Sequence, residues 1–299
     1  MKSLKIISIL LIVFLTSLSN VFGQRVFIIG LDGFSSEAYR KIPHPNIDKL
    51  FAHGLISLDT RPVMPSVTLP NWTSHFSGAG PEEHGVTNNS WVLNKHELQA
   101  LDVDGEGYFP SIFKVLKDAR PAVKTAFYYN WAELINSMNK KYLDVASFEE
   151  KDGFVNNYKS AEQFILDNKK SPQLVFLYSV RIDHAGHGFK WMSNEYIDAV
   201  KEADQAIGEF VKKLEVNDLA KDTYFLLITD HGGKGTGHGG VSMEEMQIPW
   251  AITGPKIKKT GITQIYNSNK NTSRVIAEIF GVESFPKSWT AILPEGIFK

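Results

Sequence analysis

Two short stretches of the sequence place carboxylates and imidazoles at close spacing. Residues 182–187 read IDHAGH, and residues 229–239 read TDHGGKGTGHG. With one more carboxylate upstream, the candidate metal ligands are Asp32, Asp183, His187, Asp230, His231 and His238. Carboxylates and imidazoles are the usual ligands of catalytic zinc. Three aspartates and three histidines, joined by one hydroxyl residue, are enough for two metal ions, and this pattern predicts metal-assisted hydrolysis.

The hydroxyl residue is Thr68, which lies in the proline-rich segment 64–71 (MPSVTLPN). Pro70 suits the first turn of a helix, so Thr68 is expected near a helix N-terminus, where free backbone N–H groups attract phosphate. A threonine hydroxyl is a poor nucleophile unless a metal ion lowers its pKa. Thr68 is therefore a candidate nucleophile. The alternative, compatible with the first, is that it caps the helix.

Several of these residues also have an ordinary structural interpretation. Asp32 is followed by glycine, and Asp-Gly favours turns. The glycine-rich run 232–240 could be a flexible turn, although the same freedom would let the backbone bring His238 to the site. His184 lies inside the first stretch and is expected to point away from the metal ligands.

Apolar runs that are typical of buried strands precede the candidate ligands. The predicted strands are residues 25–31, 124–129, 173–180, 223–229 and 249–253. Because helical patterns alternate with these runs, the sequence predicts an α/β fold with a mainly parallel central sheet and helices on both faces. Ligand sites of such sheets lie beyond the carboxyl ends of the strands, so Asp32, Asp183 and Asp230 are expected to share one site.

Apolar side chains recur at helical spacing in residues 194–215, which predicts an amphipathic helix packed on the sheet. Further covering helices are predicted at residues 110–117, 158–167 and 271–280. The polar, weakly periodic residues 88–106 are expected to form a loop or a small cap near the mouth of the site. No composition change marks a boundary, so residues 24–299 are expected to form a single domain.

The N-terminus has the pattern of a signal peptide, residues 1–23. A short basic start precedes an apolar run, and Gly23 suits a cleavage site. We expect export to the bacterial periplasm or secretion, with no stable membrane span after cleavage; an uncleaved anchor is the alternative. An exported chain without cysteine must be stabilised by its core alone. The net charge of −1 argues against nucleic-acid binding, and the oligomeric state stays open.

Taken together, the motifs resemble the alkaline phosphatase superfamily, in its type I phosphodiesterase/nucleotide pyrophosphatase branch. The matching segments are LDG at 31–33, PSVTLPN at 65–71, PEEHGV at 81–86, DHAGH at 183–187, TDHGG at 229–233 and GHGG at 237–240. Their order and spacing extend over most of the chain. The resemblance implies an alkaline-phosphatase-like fold and two zinc ions, with manganese or iron as alternatives.

The resemblance also implies a role for each residue. One zinc ion would be held by Asp32, Thr68, Asp230 and His231, and the other by Asp183, His187 and His238. Thr68 would attack phosphorus in line and form a phospho-threonine, which water would then hydrolyse. Asn71 would resemble the family's side-chain donor to the phosphoryl oxygen. His84 and Asn89 match positions that look structural.

The charge of such a site bears on the substrate class. Two zinc ions bring four positive charges, and three aspartates with one threonine alkoxide bring four negative charges. A phosphodiester monoanion suits this balance, whereas a phosphomonoester dianion would want a further cation. Lys234 is the best-placed candidate for that substrate contact. Leu69 stands where nucleotide-hydrolysing relatives usually carry an aromatic residue, which weakens the case for a base-stacking platform.

The favoured function is a two-metal phosphodiesterase or nucleotide pyrophosphatase acting on a small phosphate ester or a nucleotide-like substrate. The first alternative is a phosphomonoesterase, and phosphoethanolamine transfer is a further one. A sulfatase is disfavoured, because those enzymes need Cys or Ser where this chain has Thr68. A non-catalytic exported binding protein would be favoured by the loss of a ligand, and the sequence retains every ligand.

Overall fold

One eight-stranded sheet forms the centre of the chain in this computed structural model, which describes residues 24–299. The strands are β1 (Arg25–Leu31), β2 (Leu55–Thr60), β3 (Lys124–Tyr129), β4 (Val145–Phe148), β5 (Gln173–Ser179), β6 (Thr223–Ile228), β7 (Ile248–Thr253) and β8 (Gly261–Ile262). Their order is β4-β3-β5-β1-β6-β7-β2-β8. Neighbouring strands run parallel except at β7, which is antiparallel to both β6 and β2.

The central strand β1 shows why both faces of this sheet are covered. All seven of its residues are buried. Val26 and Ile28 pack into the hydrophobic cluster on one face, whereas Phe27 and Ile29 pack into the cluster on the other. Because successive side chains of a strand point to opposite faces, a strand that is apolar at successive positions needs cover on both sides.

Helices supply that cover on both faces. They are α1 (Ser36–Lys41), α2 (Pro45–Phe51), α3 (Thr68–Ser77), α4 (Pro81–His84), α5 (Ile112–Ala119), α6 (Phe154–Asp167), α7 (Arg181–Phe189), α8 (Asn194–Val216), α9 (Met243–Met246) and α10 (Thr272–Ile279). Apolar side chains of α3, α5 and α10 join one cluster, and those of α1, α2, α6, α7 and α8 join the other. The predicted α/β fold, a mainly parallel sheet between two helical layers, is confirmed.

All five predicted strands are present, and the strand predicted at residues 249–253 is the antiparallel β7. The structure adds β2 and the short edge strands β4 and β8, which the sequence analysis did not predict. Residues 88–106 form a loop without helix or strand. The predicted signal peptide, residues 1–23, lies outside the described residues. Within residues 24–299, no helix has the length and apolar character that a membrane span requires.

The order of the strands brings three separate parts of the sequence to one edge of the sheet. Strand β1 lies between β5 and β6, and all three run parallel. Asp32 follows β1 directly, and its backbone N–H donates to the carbonyl of Ser179 at the end of β5 at 3.0 Å. Helix α7 begins just after β5, and Asp230 lies two residues beyond β6. The carboxyl ends of these strands therefore meet at one place.

Candidate active site

Three buried carboxylates lie at this edge, and each is only partly satisfied by hydrogen bonds. One oxygen of Asp32 accepts from Trp72 Nε1 at 3.3 Å and from the hydroxyl of Tyr178. One oxygen of Asp230 accepts from the backbone N–H of Gly33 at 3.1 Å. Among the described residues, no donor makes a well-aligned hydrogen bond to Asp32 Oδ1, Asp183 Oδ1 or Asp230 Oδ2. Leaving a buried carboxylate oxygen unpaired is costly, so these atoms call for a cation.

The three predicted histidine ligands share one hydrogen-bonding arrangement. In His187, His231 and His238, Nδ1 lies within hydrogen-bond distance of a backbone carbonyl oxygen. The carbonyls are those of Thr236, Gly232 and Ser66, at 2.8, 2.8 and 2.9 Å respectively. Because a carbonyl oxygen can only accept, Nδ1 carries the hydrogen and donates it. Nε2 is then the atom available to a metal, as is usual for metal-binding histidine.

The first group of ligands gathers around His231. Its Nε2 lies 3.0 Å from Asp230 Oδ2 and 3.5 Å from Asp32 Oδ1. The ligand atoms of Asp32, Asp230 and His231 all lie within 4.8 Å of one another. Thr68 Oγ1 is 3.2 Å from the same Nε2. The structure therefore brings together the four residues that were predicted to hold one metal ion.

The second group gathers around Asp183, on the first turn of α7. Asp183 Oδ2 lies 3.5 Å from His187 Nε2, one helical turn further along, and its Oδ1 lies 3.8 Å from His238 Nε2. The ligand atoms of Asp183, His231 and His238 also fall within 4.8 Å of one another. The rings of His231 and His238 are stacked with centroids 3.6 Å apart, so the two groups are adjacent.

The electrostatics of this cluster fit bound cations. Burial raises the pKa of Asp32, and the nearby carboxylates of Asp230 and Asp183 raise it further. Burial alone would lower the pKa of His231, but Asp230 and Asp32 outweigh it and raise that pKa to about 10. The three nearby carboxylates thus favour the protonated, positively charged form of the His231 imidazole. Metal cations would meet the same demand and leave His231 Nε2 free to act as a ligand.

Thr68 is the first residue of helix α3, and its side chain is almost fully buried, with 5% of the residue exposed. The extended residue Val67 precedes the helix, and no side chain caps it there. The alternative interpretation of Thr68 as a helix cap is therefore wrong. Its hydroxyl faces His231 instead, at the edge of the first ligand group.

The predicted phosphoryl-oxygen donor, Asn71, uses both of its side-chain N–H groups in hydrogen bonds within the protein. Its Nδ2 donates to the carbonyl oxygens of Pro65 and Val67, both at 2.9 Å. Its Oδ1 accepts from the backbone N–H of Val63 at 2.8 Å and from Asn269 Nδ2 at 2.7 Å. An asparagine amide offers two hydrogens, and both are used inside the protein. The geometry corrects the prediction, because Asn71 braces the loop rather than facing the cluster.

Asn89, and not Asn71, has the hydrogen-bonding geometry that a phosphoryl-oxygen donor requires. Its Oδ1 accepts from the backbone N–H of Leu69 at 2.8 Å, which fixes the amide beside the nucleophile. Nδ2 has no hydrogen-bond partner among the described residues. The side chain is half-buried at the start of the loop 88–106. Asn89 was expected to have a structural role. Its direction could not be predicted, because a loop has no periodicity that reveals where a side chain points.

Other predicted residues lie away from the cluster or brace it. Lys234 has a side chain that is 64% exposed, and its ammonium lies 3.4 Å from a carboxylate oxygen of Glu244. Its positive charge is thus paired at the surface. His184 points away, as expected, with Nδ1 2.8 Å from Asp152 Oδ1. His84 braces the loop after α3, with Nε2 3.0 Å from the hydroxyl of Ser74.

This chain is similar in sequence to proteins of a described family. The family described as type I phosphodiesterase/nucleotide pyrophosphatase matches residues 26–272. An uncharacterised pyrophosphatase/phosphodiesterase of Schizosaccharomyces pombe is 26% identical over 229 residues, which are 72% of this chain and 46% of that protein. Ectonucleotide pyrophosphatase/phosphodiesterase family member 3 of Bos taurus is 26% identical over 224 residues, which are 69% of this chain and 24% of that protein. The chain spans less than half the length of either relative.

A solved structure has a similar fold. Murine ectonucleotide pyrophosphatase/phosphodiesterase 5, solved as an inactive variant in complex with AMP, superimposes with a TM-score of 0.74. The match covers 88% of this chain and 96% of that one, at 14% sequence identity. This structural likeness concerns the fold alone. The family match is a match in sequence, which extends from β1 into the start of α10 and includes every residue of both ligand groups. The chain therefore belongs to the type I phosphodiesterase/nucleotide pyrophosphatase family.

Proposed function

We propose that this chain is a two-metal hydrolase of phosphoric esters that acts on phosphodiester or pyrophosphate bonds of small molecules. The observation that carries the proposal is the position of Thr68. Its hydroxyl lies 3.2 Å from His231 Nε2, at the start of a helix and beside buried carboxylate oxygens that accept no well-aligned hydrogen bond within residues 24–299. A hydroxyl in that position is a nucleophile that lies directly beside the candidate metal ligands.

In the proposed reaction, Thr68 Oγ1 bonds to phosphorus in line with the leaving oxygen, whose bond to phosphorus breaks. The hydroxyl proton passes through solvent to the leaving oxygen, and Thr68 then carries the phosphoryl group with its retained ester substituent. Water attacks phosphorus, a proton returns to Thr68 Oγ1, and a phosphate monoester is released. Bound metal ions supply Lewis-acid stabilisation of the phosphoryl charge and lower the pKa of the Thr68 hydroxyl. Zinc is the proposed metal, because the ligands combine imidazoles and carboxylates without thiolates.

We assign the donor role at the phosphoryl oxygen to Asn89. The hydrogen bond from Leu69 N–H holds its Oδ1, and Nδ2 is left to donate. Within the first turn of α3, the N–H of Leu69 donates to Asn89, the N–H of Asn71 donates to the carbonyl of Val67, and Pro70 has no N–H, so the N–H of Thr68 is the remaining backbone donor at this end of the helix. Donors that are fixed before the reaction stabilise the developing charge without reorganisation.

The surroundings of the site favour a monoanionic diester over a dianionic monoester. Lys234, the best candidate for an additional cation, has its charge paired with Glu244. Leu69 is fully buried in a small cluster with Val86 and Trp91, so it offers no surface to a nucleotide base. The names of the curated relatives support a nucleotide ester as a substrate to test. The chain's own features favour a diester whatever its leaving group.

A panel of esters on metal-replete enzyme tests this proposal. We expect turnover of bis-p-nitrophenyl phosphate to exceed that of p-nitrophenyl phosphate. We also expect Thr68→Ala to abolish turnover while metal content, measured on the same sample, stays at the wild-type level. Faster turnover of the monoester would replace the diesterase assignment with a phosphomonoesterase. Full activity of Thr68→Ala would remove the nucleophile assignment.

A further inference from the structure

The side chain of Asn71 closes the loop in front of Thr68 onto the first turn of α3. Nδ2 donates to the carbonyl oxygens of Pro65 and Val67, and Oδ1 accepts from the backbone N–H of Val63. The backbone N–H of Asn71 also donates to the carbonyl of Val67 at 3.2 Å. Because this loop leads directly into Thr68, these bonds determine how the backbone presents the nucleophile.

A second asparagine, Asn269, determines which way the Asn71 amide faces. Its Nδ2 donates to Asn71 Oδ1 at 2.7 Å, across 198 residues of sequence, and both side chains are fully buried. The N–H groups of Asn269 and Val63 both point at the same amide oxygen. A flipped amide would set N–H against N–H on that side and oxygen against the carbonyls of the loop on the other. Asn269 and the loop backbone together therefore favour a single orientation of the Asn71 amide.

Asn269 is held in turn by the chain that follows β2. Its backbone N–H donates to the carbonyl of Arg61 at 2.9 Å, and the N–H of Arg61 donates to the carbonyl of Asn267 at 3.1 Å. The side chain of Asn267 donates to Thr60 Oγ1 at 3.0 Å, at the end of β2. The donor that fixes Asn71 is thus attached to the central sheet.

We propose that Asn269 is a positioning residue for the nucleophile. It fixes the Asn71 amide, which holds the loop 63–67 and thereby the place of Thr68 Oγ1. This pair, Asn71 and Asn269, is named the asparagine clasp. The inference rests on the proposed role of Thr68. In this buried setting, loss of Asn269 removes one of the two donors to Asn71 Oδ1 and weakens the hold on the amide, which then depends on the backbone of the loop alone.

The test compares Asn269→Ala and Asn269→Asp with the wild type, all metal-replete. The aspartate keeps the size of the side chain but places an oxygen against Asn71 Oδ1. We expect kcat for bis-p-nitrophenyl phosphate to fall about 10- to 100-fold, because a displacement of ~1 Å at the reacting atom costs about that much. KM and metal content are expected to stay at the wild-type values, since neither the ligands nor the substrate contacts change.

Asn157→Ala is the matched control. Asn157 is buried to the same degree, with 1% exposed, and its Nδ2 donates to the carbonyl of Tyr129 at 2.9 Å. It lies on α6, which packs on the other face of the sheet from α3. We expect this variant to lose thermal stability and keep kcat. An equal fall of kcat in the control would show a general effect of stability and overturn the proposal.

A double-variant cycle tests whether Asn269 acts through Asn71. We expect Asn71→Ala and the double variant Asn71→Ala/Asn269→Ala to have the same kcat, because the second change removes nothing once the clasp is open. Additive losses, or a wild-type kcat in folded Asn269→Ala, would overturn the inference.

Thr68→Ala distinguishes a failure of the clasp from a failure of the proposed function. If Thr68→Ala is inactive while Asn269→Ala is fully active, only the clasp fails; if Thr68→Ala is active, the proposed function fails.

Discussion

At the scale of single residues, most side chains of the site have one polar atom in a hydrogen bond and another that is available to a ligand. Asp32 and Asp230 each have one oxygen held by protein donors and one oxygen buried without a partner among the described residues. The ligand histidines each commit Nδ1 to a carbonyl oxygen and leave Nε2 available. The hydrogen-bonded half of each group fixes its orientation, with the other half directed toward the place where a metal ion would bind.

Replacement of Asn89 tests the donor role at this scale. We expect Asn89→Ala to lower kcat by about 10²- to 10³-fold, as loss of one fixed donor to a developing negative charge usually does. Metal content is expected to stay constant. The neighbour Asn88 is the control, since its Oδ1 accepts from the backbone N–H of Ser90 in an exposed part of the loop. Equal kcat for Asn89→Ala and Asn88→Ala would contradict the donor assignment.

The two asparagines also show how far sequence reasoning reaches at this scale. Residue types and strand ends predicted which residues meet at the carboxyl edge of the sheet. They did not predict the direction of Asn71, because its decisive partner, Asn269, is 198 residues away. Nor did they single out Asn89, whose place depends on one hydrogen bond to Leu69. Ligand identity follows from chemistry, whereas the direction of a polar side chain depends on long-range packing.

At the scale of elements, helix α3 presents the nucleophile on one side and packs its first turn on the other. Leu69 is fully buried against Val86 and Trp91, and Trp72 on the same helix donates to Asp32. His75 lies further along α3, with Nε2 2.9 Å from the carbonyl of Thr229, next to the ligand pair at the end of β6. The helix therefore links the nucleophile to ligands that follow two different strands.

A larger side chain at Leu69 tests this packing. We expect Leu69→Phe to lower the free energy of unfolding by about 1–3 kcal/mol, because extra atoms in a filled core force displacements. We also expect no gain for nucleotide esters, since the position has no exposed surface to offer. Urea denaturation and relative kcat/KM values measure the two effects. Leu101→Phe, at a residue that is 72% exposed, is the control and is expected to leave stability unchanged.

Element prediction succeeded where the apolar run was continuous, and failed where the run was very short or, as in β2 (LISLDT), was interrupted by polar residues. Strands β1, β5 and β6 are buried along their whole length and stand out in the sequence. The edge strands β4 and β8 have four and two residues, too few to show a pattern. The direction of β7 was also beyond sequence reasoning, because an apolar run reads the same in a parallel and an antiparallel strand.

At the scale of the whole molecule, we expect metal binding and folding to be coupled. Carboxylates that follow separate strands are buried together, and their mutual repulsion opposes folding unless cations compensate it. The same strands contribute the central part of the sheet. The metal centre is therefore expected to stabilise the domain as well as to serve the reaction.

Removal of metal with a chelator is expected to lower the Tm, and added zinc to restore it. At a free zinc concentration 100 times the Kd, linkage predicts about 2.7 kcal/mol of stabilisation for one site. Thermal unfolding with and without zinc measures the shift. His238→Ala lacks one ligand and is expected to show a smaller shift. An identical Tm for the wild type in both conditions would argue against a metal centre at this edge.

The most direct measurement is mass spectrometry of the metal-replete enzyme, acid-quenched during turnover of a phosphodiester and digested into peptides. We expect the peptide that contains Thr68 to carry the phosphoryl group together with its retained ester substituent in the wild type, and to lack this adduct in Thr68→Ala. A wild-type enzyme that turns over substrate at full rate and never carries phosphorus on Thr68 would contradict it.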